Sequence, residues 1–376
     1  MAKQTKFGLL VKKSLNWKFT AWIVVWLSIT GFSWHLNHIN IYKFVPPDLL
    51  VNQLYHSGSE YISLKTIVAI FSHLSSRGIV YHLLFSGIVT IFGLSIYLIA
   101  KEKYSDRIAA MSSMIAMLQA YILLSIGNFD YSLLSLIALP VIILICSWLH
   151  PKHGKSYYLL LGLTLGLLFC VPYFWAMLIF AAVMARSRLK VLFKHINLTK
   201  KIFLIAPSLF SIALSTTYSV RRADYHWLVG NIQNLETKPS KLLDGAVEAI
   251  KRLLVDFDPS TSPKLPLIGL ALVLFSILSF YLYIQGFSSI QQKILPAICL
   301  GAFALTVLGL SSMYFIILAG VIIMSINGVA MLLQQWFTVF PKNPFARFSG
   351  IAILTICVLV FVATQVISYI ELTKMS

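Results

Sequence analysis

Apolar runs recur from near the first residue to near the last, and they constrain this chain more than any other feature. Eleven of them are long enough to read as helices across a bilayer: 17–35, 79–100, 108–126, 131–149, 156–170, 172–185, 202–219, 266–285, 294–309, 313–334 and 349–370. A hydrocarbon core of about 30 Å takes roughly 20 such residues, and fewer where the membrane is thin. Of the 376 residues 59% are apolar and 11% charged, against about 45–50% and 25% in soluble domains. A soluble fold of this length needs far more polar surface. The sequence therefore excludes a soluble enzyme, a disordered chain and a disulfide scaffold. It predicts an all-α polytopic membrane protein, a single transmembrane domain over 1–376 with about 11 transmembrane helices and interfacial helices in two long outer loops.

Charge sets the expected orientation. The net charge is +18. A basic balance can mark a nucleic-acid partner, but cytoplasmic loops of membrane proteins collect Lys and Arg, so no nucleic acid is expected here. The segment 156–185 is the decisive piece, either one long helix or two short spans broken near Pro172. With the N-terminus inside and two crossings there, 19 of the 30 Lys and Arg residues fall inside, beside only Glu102 and Asp106. A single crossing would move the basic block Arg186–Lys201 outside. Two short spans satisfy the rule, in a multi-pass protein of the cell membrane with a cytoplasmic N-terminus. The basic N-terminal stretch has no small-residue cleavage site after Ile23–Phe32, so it reads as an uncleaved first span. Cys146, Cys170, Cys299 and Cys357 all sit in apolar runs without CxxC spacing and read as small buried hydrophobes.

The two outer loops are 36–78 and 220–265. They hold Asp48, Glu60, Asp224, Glu236, Asp244, Glu248, Asp256 and Asp258, eight of the twelve acids. After Pro46-Pro47, the stretch Asp48–Gly58 reads as a short helix closed by glycine. Ile67, Ile70, Phe71 and Leu74 recur at helical spacing within Ser63–Leu74. A third helix opens at Pro239-Ser240, with Leu242, Leu243, Val247, Ile250, Leu253, Leu254 and Phe257 as its apolar face. All three are too short and too charged to cross, and are expected to lie in the interface. The spans hold almost no ionisable residue, which argues against an ion-coupled pump.

Each candidate residue has a plain reading beside the functional one. Asp48 heads a helix, where a carboxylate caps the first turn, and Asp130 begins the fourth span in the same way. Glu60 reads equally as a solvated loop acid. Arg221 and Arg222 either anchor the seventh span or hold a lipid phosphate. The pairs His35/His38 and His150/His153 have i, i+3 spacing but lack a nearby third ligand, so they do not make a metal site. Gln119 is one polar exception inside a span.

The stretch Leu83–Lys101, then Asp106-Arg-Ile-Ala-Ala110, ending in Asn128-Phe-Asp130, resembles the second and third spans of the GT-C membrane glycosyltransferases and the acid that opens their fourth. The closest branch is the dolichyl-phosphate-mannose protein mannosyltransferase and aminoarabinose-transferase group. Leu159–Leu168 is similar to that group's glycine-spaced fifth span, and Met313–Leu318 to the tyrosine-led segment opening a late span. The chain departs from the pattern twice. Asp48 stands alone, followed by Leu49, where the group carries paired acids, and Met313 stands where a basic residue commonly precedes the tyrosine.

The resemblance implies transfer of a sugar from a polyprenyl-phosphate donor to a glycan, lipid or protein acceptor on the extracytoplasmic face. It implies Asp48, Asp130 and Glu60 as the catalytic acids, with Asp48 as base. Arg77, Arg221, Arg222 and His226 are then the groups that steady the donor phosphate. Membrane lipids and the lipid-linked sugar are the expected partners, and no cofactor is assigned. Two other classes stay open. One is a noncatalytic relative that serves envelope assembly, suggested by the single acid at Asp48. The other is a lipid or polysaccharide transporter, which predicts polar residues within spans and internal repeats.

Overall fold

A computed structural model describes residues 21–31, 78–127, 131–148, 154–169, 171–222, 239–255, 267–285, 290–310, 313–340 and 343–375. These residues are helical almost throughout, and no strand occurs among them. In chain order the helices are α1 Ala21–Gly31, α2 Gly78–Lys101, α3 Asp106–Met117, α4 Ala120–Gly127, α5 Leu134–Trp148, α6 Lys155–Leu168 and α7 Phe174–Met184. They continue as α8 Arg186–His195, α9 Leu198–Arg222, α10 Pro239–Leu254, α11 Leu270–Gln285, α12 Ile290–Val307, α13 Met313–Val339 and α14 Pro344–Met375.

The centre is α5. Its sequence is apolar on every side, and a helix of that kind belongs where it is surrounded. Every residue from Leu133 to Cys146 is buried, and α5 packs against α2, α12 and α13. The second central helix, α13, also holds α11 and α14. Cys146 and Cys299 are buried free thiols, as expected of small core residues.

The interior is apolar, and so, unlike that of a water-soluble protein, is much of the outer surface. Large apolar side chains point out, among them Leu160, Leu300 and Phe348 at 65%, 66% and 73% exposure. Hydroxyls and amides are buried and join helices. The Ser113 hydroxyl donates to the Gly93 carbonyl at 2.8 Å, and the Ser325 hydroxyl to Leu272 at 2.6 Å. Thr30 and Ser86 share a hydrogen bond of 2.7 Å, and Tyr104 donates to Asn327 at 3.0 Å. Small polar side chains bridging helices that show apolar outer faces are the packing expected in lipid.

Among the described residues two helices are long and apolar enough to cross a membrane, over His82–Lys101 and Met313–Val339. Two bent pairs, α3 with α4 and α8 with α9, raise the number to four if each pair is one span. Other expected spans form apolar helices of 10–17 residues, including Leu134–Cys146, Lys155–Leu168, Phe174–Met184 and Ile294–Val307. By length alone these fall short of the roughly 20 residues of a full crossing. Membrane association rests on these helices and on the outward apolar faces.

The break at Pro172 is present: α6 ends at Leu168, α7 begins at Phe174, and Tyr173 between them has φ of 58°. The left-handed backbone at a bulky residue is a strained reversal, used here to turn the chain between two short helices. The expected single helix 108–126 is instead bent by 58° between α3 and α4. The block Arg186–Lys201, expected as a loop, forms α8 and the first turn of α9, with a bend of 120° between the two helices. The expected helices at Asp48–Gly58 and Ser63–Leu74 lie outside the described residues, as do both histidine pairs.

The junction of α6 and α9 shows what sets helix spacing. Gly162 lies against the Leu204 carbonyl, where a Cβ would collide with backbone. One turn on, a Cβ at Gly166 would lie 2.6 Å from that of Ser211. The Ser208 hydroxyl donates to the Gly162 carbonyl at 2.9 Å, which close approach alone allows. Gly162→Leu should therefore push the pair apart and cost at least about 1–3 kcal/mol, read as a lower thermal midpoint in detergent. Gly301, with nothing within 4 Å of its built Cβ, is the control. Gly301→Ala should leave the midpoint unchanged or slightly raised.

Candidate functional site

Of the residues singled out in the sequence, Asp48, Glu60, Arg77, Asp130 and His226 lie outside the described residues. Arg221 and Arg222 are the last two residues of α9. The described residues instead gather polar groups at three other places.

The first is the turn between α2 and α3. The Lys101 ammonium lies 2.8 Å from the Asp106 carboxylate, and the Tyr97 hydroxyl donates to the same carboxylate at 3.2 Å. Lys101 and Tyr97 are one helical turn apart, which brings the ammonium over the ring at 5.5 Å. Trp22 of α1 meets the Tyr97 ring edge-on at 5.8 Å.

This cluster closes one end of a groove of about 810 Å³ between α1, α2 and α3. Its wall is apolar almost throughout, with Trp22, Val25, Ile29, Met114 and Met117 along it and Asp106 at the polar end. α1 is fastened to α2 above it, where the Trp26 indole donates to the Leu83 carbonyl at 3.2 Å.

The second place is α10. The expected single apolar face divides in two. Leu242, Gly245, Ala249 and Leu253 turn toward the bundle, with Gly245 against the Val307 carbonyl of α12. Leu243, Val247, Ile250 and Leu254 form an outward stripe, all exposed. A helix that both docks and meets lipid needs two apolar stripes, and Gly245 and Ala249 make the docking one narrow enough to leave room for a polar third face. On that face Glu248 accepts from the Arg252 guanidinium at 2.9 Å, which holds its pKa below the ordinary 4.5. Tyr314, buried at the start of α13, lies within electrostatic reach of both. The amide of Ile268 donates to the Leu253 carbonyl at 2.9 Å and ties the following chain to this helix end.

The third is the break between α3 and α4. The Gln119 side-chain amide donates back to the Ile115 carbonyl at 2.7 Å and replaces a rung of the helix ladder. Its carbonyl oxygen is buried without a donor among the described residues. The Ala120 amide, freed by the break, donates to the side-chain oxygen of Gln365 in α14 at 2.9 Å. A kink with this cause is the usual consequence of a side chain entering the ladder.

No cluster of three or more His, Cys, Asp or Glu side chains forms among the described residues. No family model, curated protein or solved structure matches this chain.

Neither the Lys101–Asp106–Tyr97 cluster nor the Glu248–Arg252–Tyr314 group was assigned from sequence. The i, i+4 spacings Tyr97/Lys101 and Glu248/Arg252 were signals for part of each. The tertiary partners, Trp22 and Tyr314, carry no local signal.

Gln365→Leu should strand the Ala120 amide in an apolar interior and cost about 1–3 kcal/mol, visible as a lower thermal midpoint. Thr364→Val, on an exposed position beside it, should leave the midpoint unchanged. The Glu248–Arg252 pair responds to acid: the stabilisation from Glu248 is complete above its ordinary 4.5 and is lost as pH falls through the lowered value. Hydrogen exchange of α10, corrected for intrinsic rates, should therefore show constant protection from neutral pH down to about pH 5 and weaker protection once the pH falls through the lowered value.

Proposed function

We propose that the chain is an integral-membrane glycosyltransferase, moving a sugar from a polyprenyl-phosphate donor to an acceptor on the extracytoplasmic face. The observation that carries this reading is the groove between α1, α2 and α3. It is apolar and bounded by helices whose sequences include Leu83–Lys101 and Asp106–Ala110, the stretches that resemble GT-C enzymes. An isoprenoid tail has the chemistry to fill such a wall; in the eleven-span arrangement Asp106 is at the cytoplasmic end, so the donor phosphate belongs at the opposite, outer end of the groove.

In this reading the acceptor heteroatom attacks the anomeric carbon and the bond from that carbon to the phosphate oxygen breaks. The acceptor proton passes to the Asp48 carboxylate, and the polyprenyl phosphate leaves as an anion. Arg77, Arg221, Arg222 and His226 are the groups proposed to offset its charge. Asp130 and Glu60 are the further candidate acids. Eleven crossings with the N-terminus cytoplasmic put all seven residues on one side, and α10 then lies in the outer interface with its Leu243–Leu254 stripe in lipid.

A transporter is the second reading, and the broken α3–α4 pair favours it. Transporters bind cargo at interrupted helices near mid-membrane, and the buried Gln119 carbonyl stands at such an interruption.

Asp48 decides between them. Asp48→Asn keeps shape and much of any capping bond but removes the base. Catalysis predicts a loss of orders of magnitude in lipid-linked sugar consumption for Asp48→Asn and Asp48→Ala alike, at normal expression. Capping alone predicts near-normal activity for Asn and a stability loss of about 0.5–2 kcal/mol for Ala. An active Asn variant would remove Asp48 from the mechanism. No consumption by the unaltered protein would favour the transporter, or a noncatalytic role in envelope assembly. Asp130→Asn and Glu60→Gln are run beside it, with the larger effect expected at Asp130.

The crossing number has its own test. Five expected spans separate Lys194 from the C-terminal tail, so cysteines introduced at the two places should label from opposite sides of the membrane. Labelling of both from one side would overturn the eleven-span arrangement.

A further inference from the structure

We infer that α8 is a docking strip for anionic phospholipid head groups on the basic face of the protein. The inference needs the chain to sit in a membrane and holds whether or not it transfers sugar. Arg186, Lys190 and Lys194 follow one another at i, i+4 and i+8, so they stack along one side of α8 about 6 Å apart per step. All three are exposed, and none has a carboxylate partner among the described residues. The sequence offers none nearby, since no Asp or Glu occurs from Tyr131 to Ala223.

A general excess of inner-loop charge does not require this arrangement. α8 is a separate helix, turned by 120° from the helix that follows it. It cannot continue the direction of α9 into the bilayer. It is also anchored: Leu189 and Phe193 pack against the core, and Ile196 just beyond it is buried. The His195 ring bonds the Val191 carbonyl at 2.8 Å and closes the last turn. The basic row is thus carried on a fixed support. Beside it, Val191 and Leu198 are 59% and 73% exposed, apolar groups positioned to meet acyl chains. Lys200 has a different use, with its ammonium 5.7 Å from the centre of the Tyr158 ring. A basic row flanked by apolar side chains, on a helix lying across the membrane edge, is complementary to phosphodiester head groups with a net negative charge.

The test titrates the full-length protein in non-ionic detergent micelles with fluorescent phosphatidylglycerol, and with the phosphatidylcholine analogue in parallel. The unaltered protein should prefer phosphatidylglycerol, and added salt should weaken the preference. Each cation near an anionic head group is worth a factor of about five. The triple variant Arg186→Gln, Lys190→Gln, Lys194→Gln should therefore bind phosphatidylglycerol about 100-fold more weakly, with the phosphatidylcholine affinity unchanged. The charge-keeping variant Arg186→Lys, Lys190→Arg, Lys194→Arg should retain the preference, as should Lys251→Gln on α10. If the triple variant fails to fold, the three single Gln variants carry the test, each with a loss of about five-fold. Equal affinity for the two lipids in the unaltered protein would overturn the inference, as would a phosphatidylglycerol affinity that the substitutions leave within two-fold.

Discussion

The closeness of helix backbones at small residues is the constraint on which the rest of this structure depends. Where Gly162 meets the Leu204 carbonyl, or Gly328 the Phe275 carbonyl, two helices approach until backbone touches backbone. Apolar side chains gain little by leaving lipid for a protein interior of similar polarity, so association relies on dispersion contacts and hydrogen bonds, both of short range. Small residues bring them into range. The Ser208 and Ser325 hydroxyls then reach carbonyls on the facing helix at 2.9 and 2.6 Å. A larger side chain at these glycines removes the dispersion contacts and the bridging bond together.

The same economy explains where charge appears. Within the apolar body polar groups are neutral and short, and full charges gather at turns and helix ends. Lys101 and Asp106 face each other across the α2–α3 turn, and Glu248 and Arg252 lie on the one helix whose faces divide into three. Both pairs stand beside an aromatic residue, Tyr97 and Tyr314. The apolar groove runs away from the first pair, so its walls and its polar end come from the same three helices.

The helical plan was legible in the sequence because it rests on local patterns. Apolar runs marked the helices from Gly78 to Met375 to within a few residues, and Pro172 with the charge distribution marked the division between α6 and α7. The division of α3 from α4 was not legible. It depends on Gln119 turning back to Ile115 and on Gln365 far along the chain, and nothing near Leu118 announces it. α8 was missed for another reason: its many cations argued for a solvated loop, while Leu189 and Phe193, spaced one turn apart, were too few to outweigh them. For the catalytic proposal the sequence supplied acids and a side of the membrane. The residues described in the fold add the groove and the α10 surface, and Arg221 and Arg222 link the two accounts at the end of α9.

The bond between Ala120 and Gln365 also orders events during synthesis. The two residues are 245 positions apart. At about 5–20 residues per second, α14 emerges roughly 10–50 s after the break it completes. Until then the bent form of the α3–α4 pair lacks the acceptor that its Ala120 amide uses, so the bend is completed by a helix made much later than the two it joins. That makes α14 a late clasp on α3 and α4.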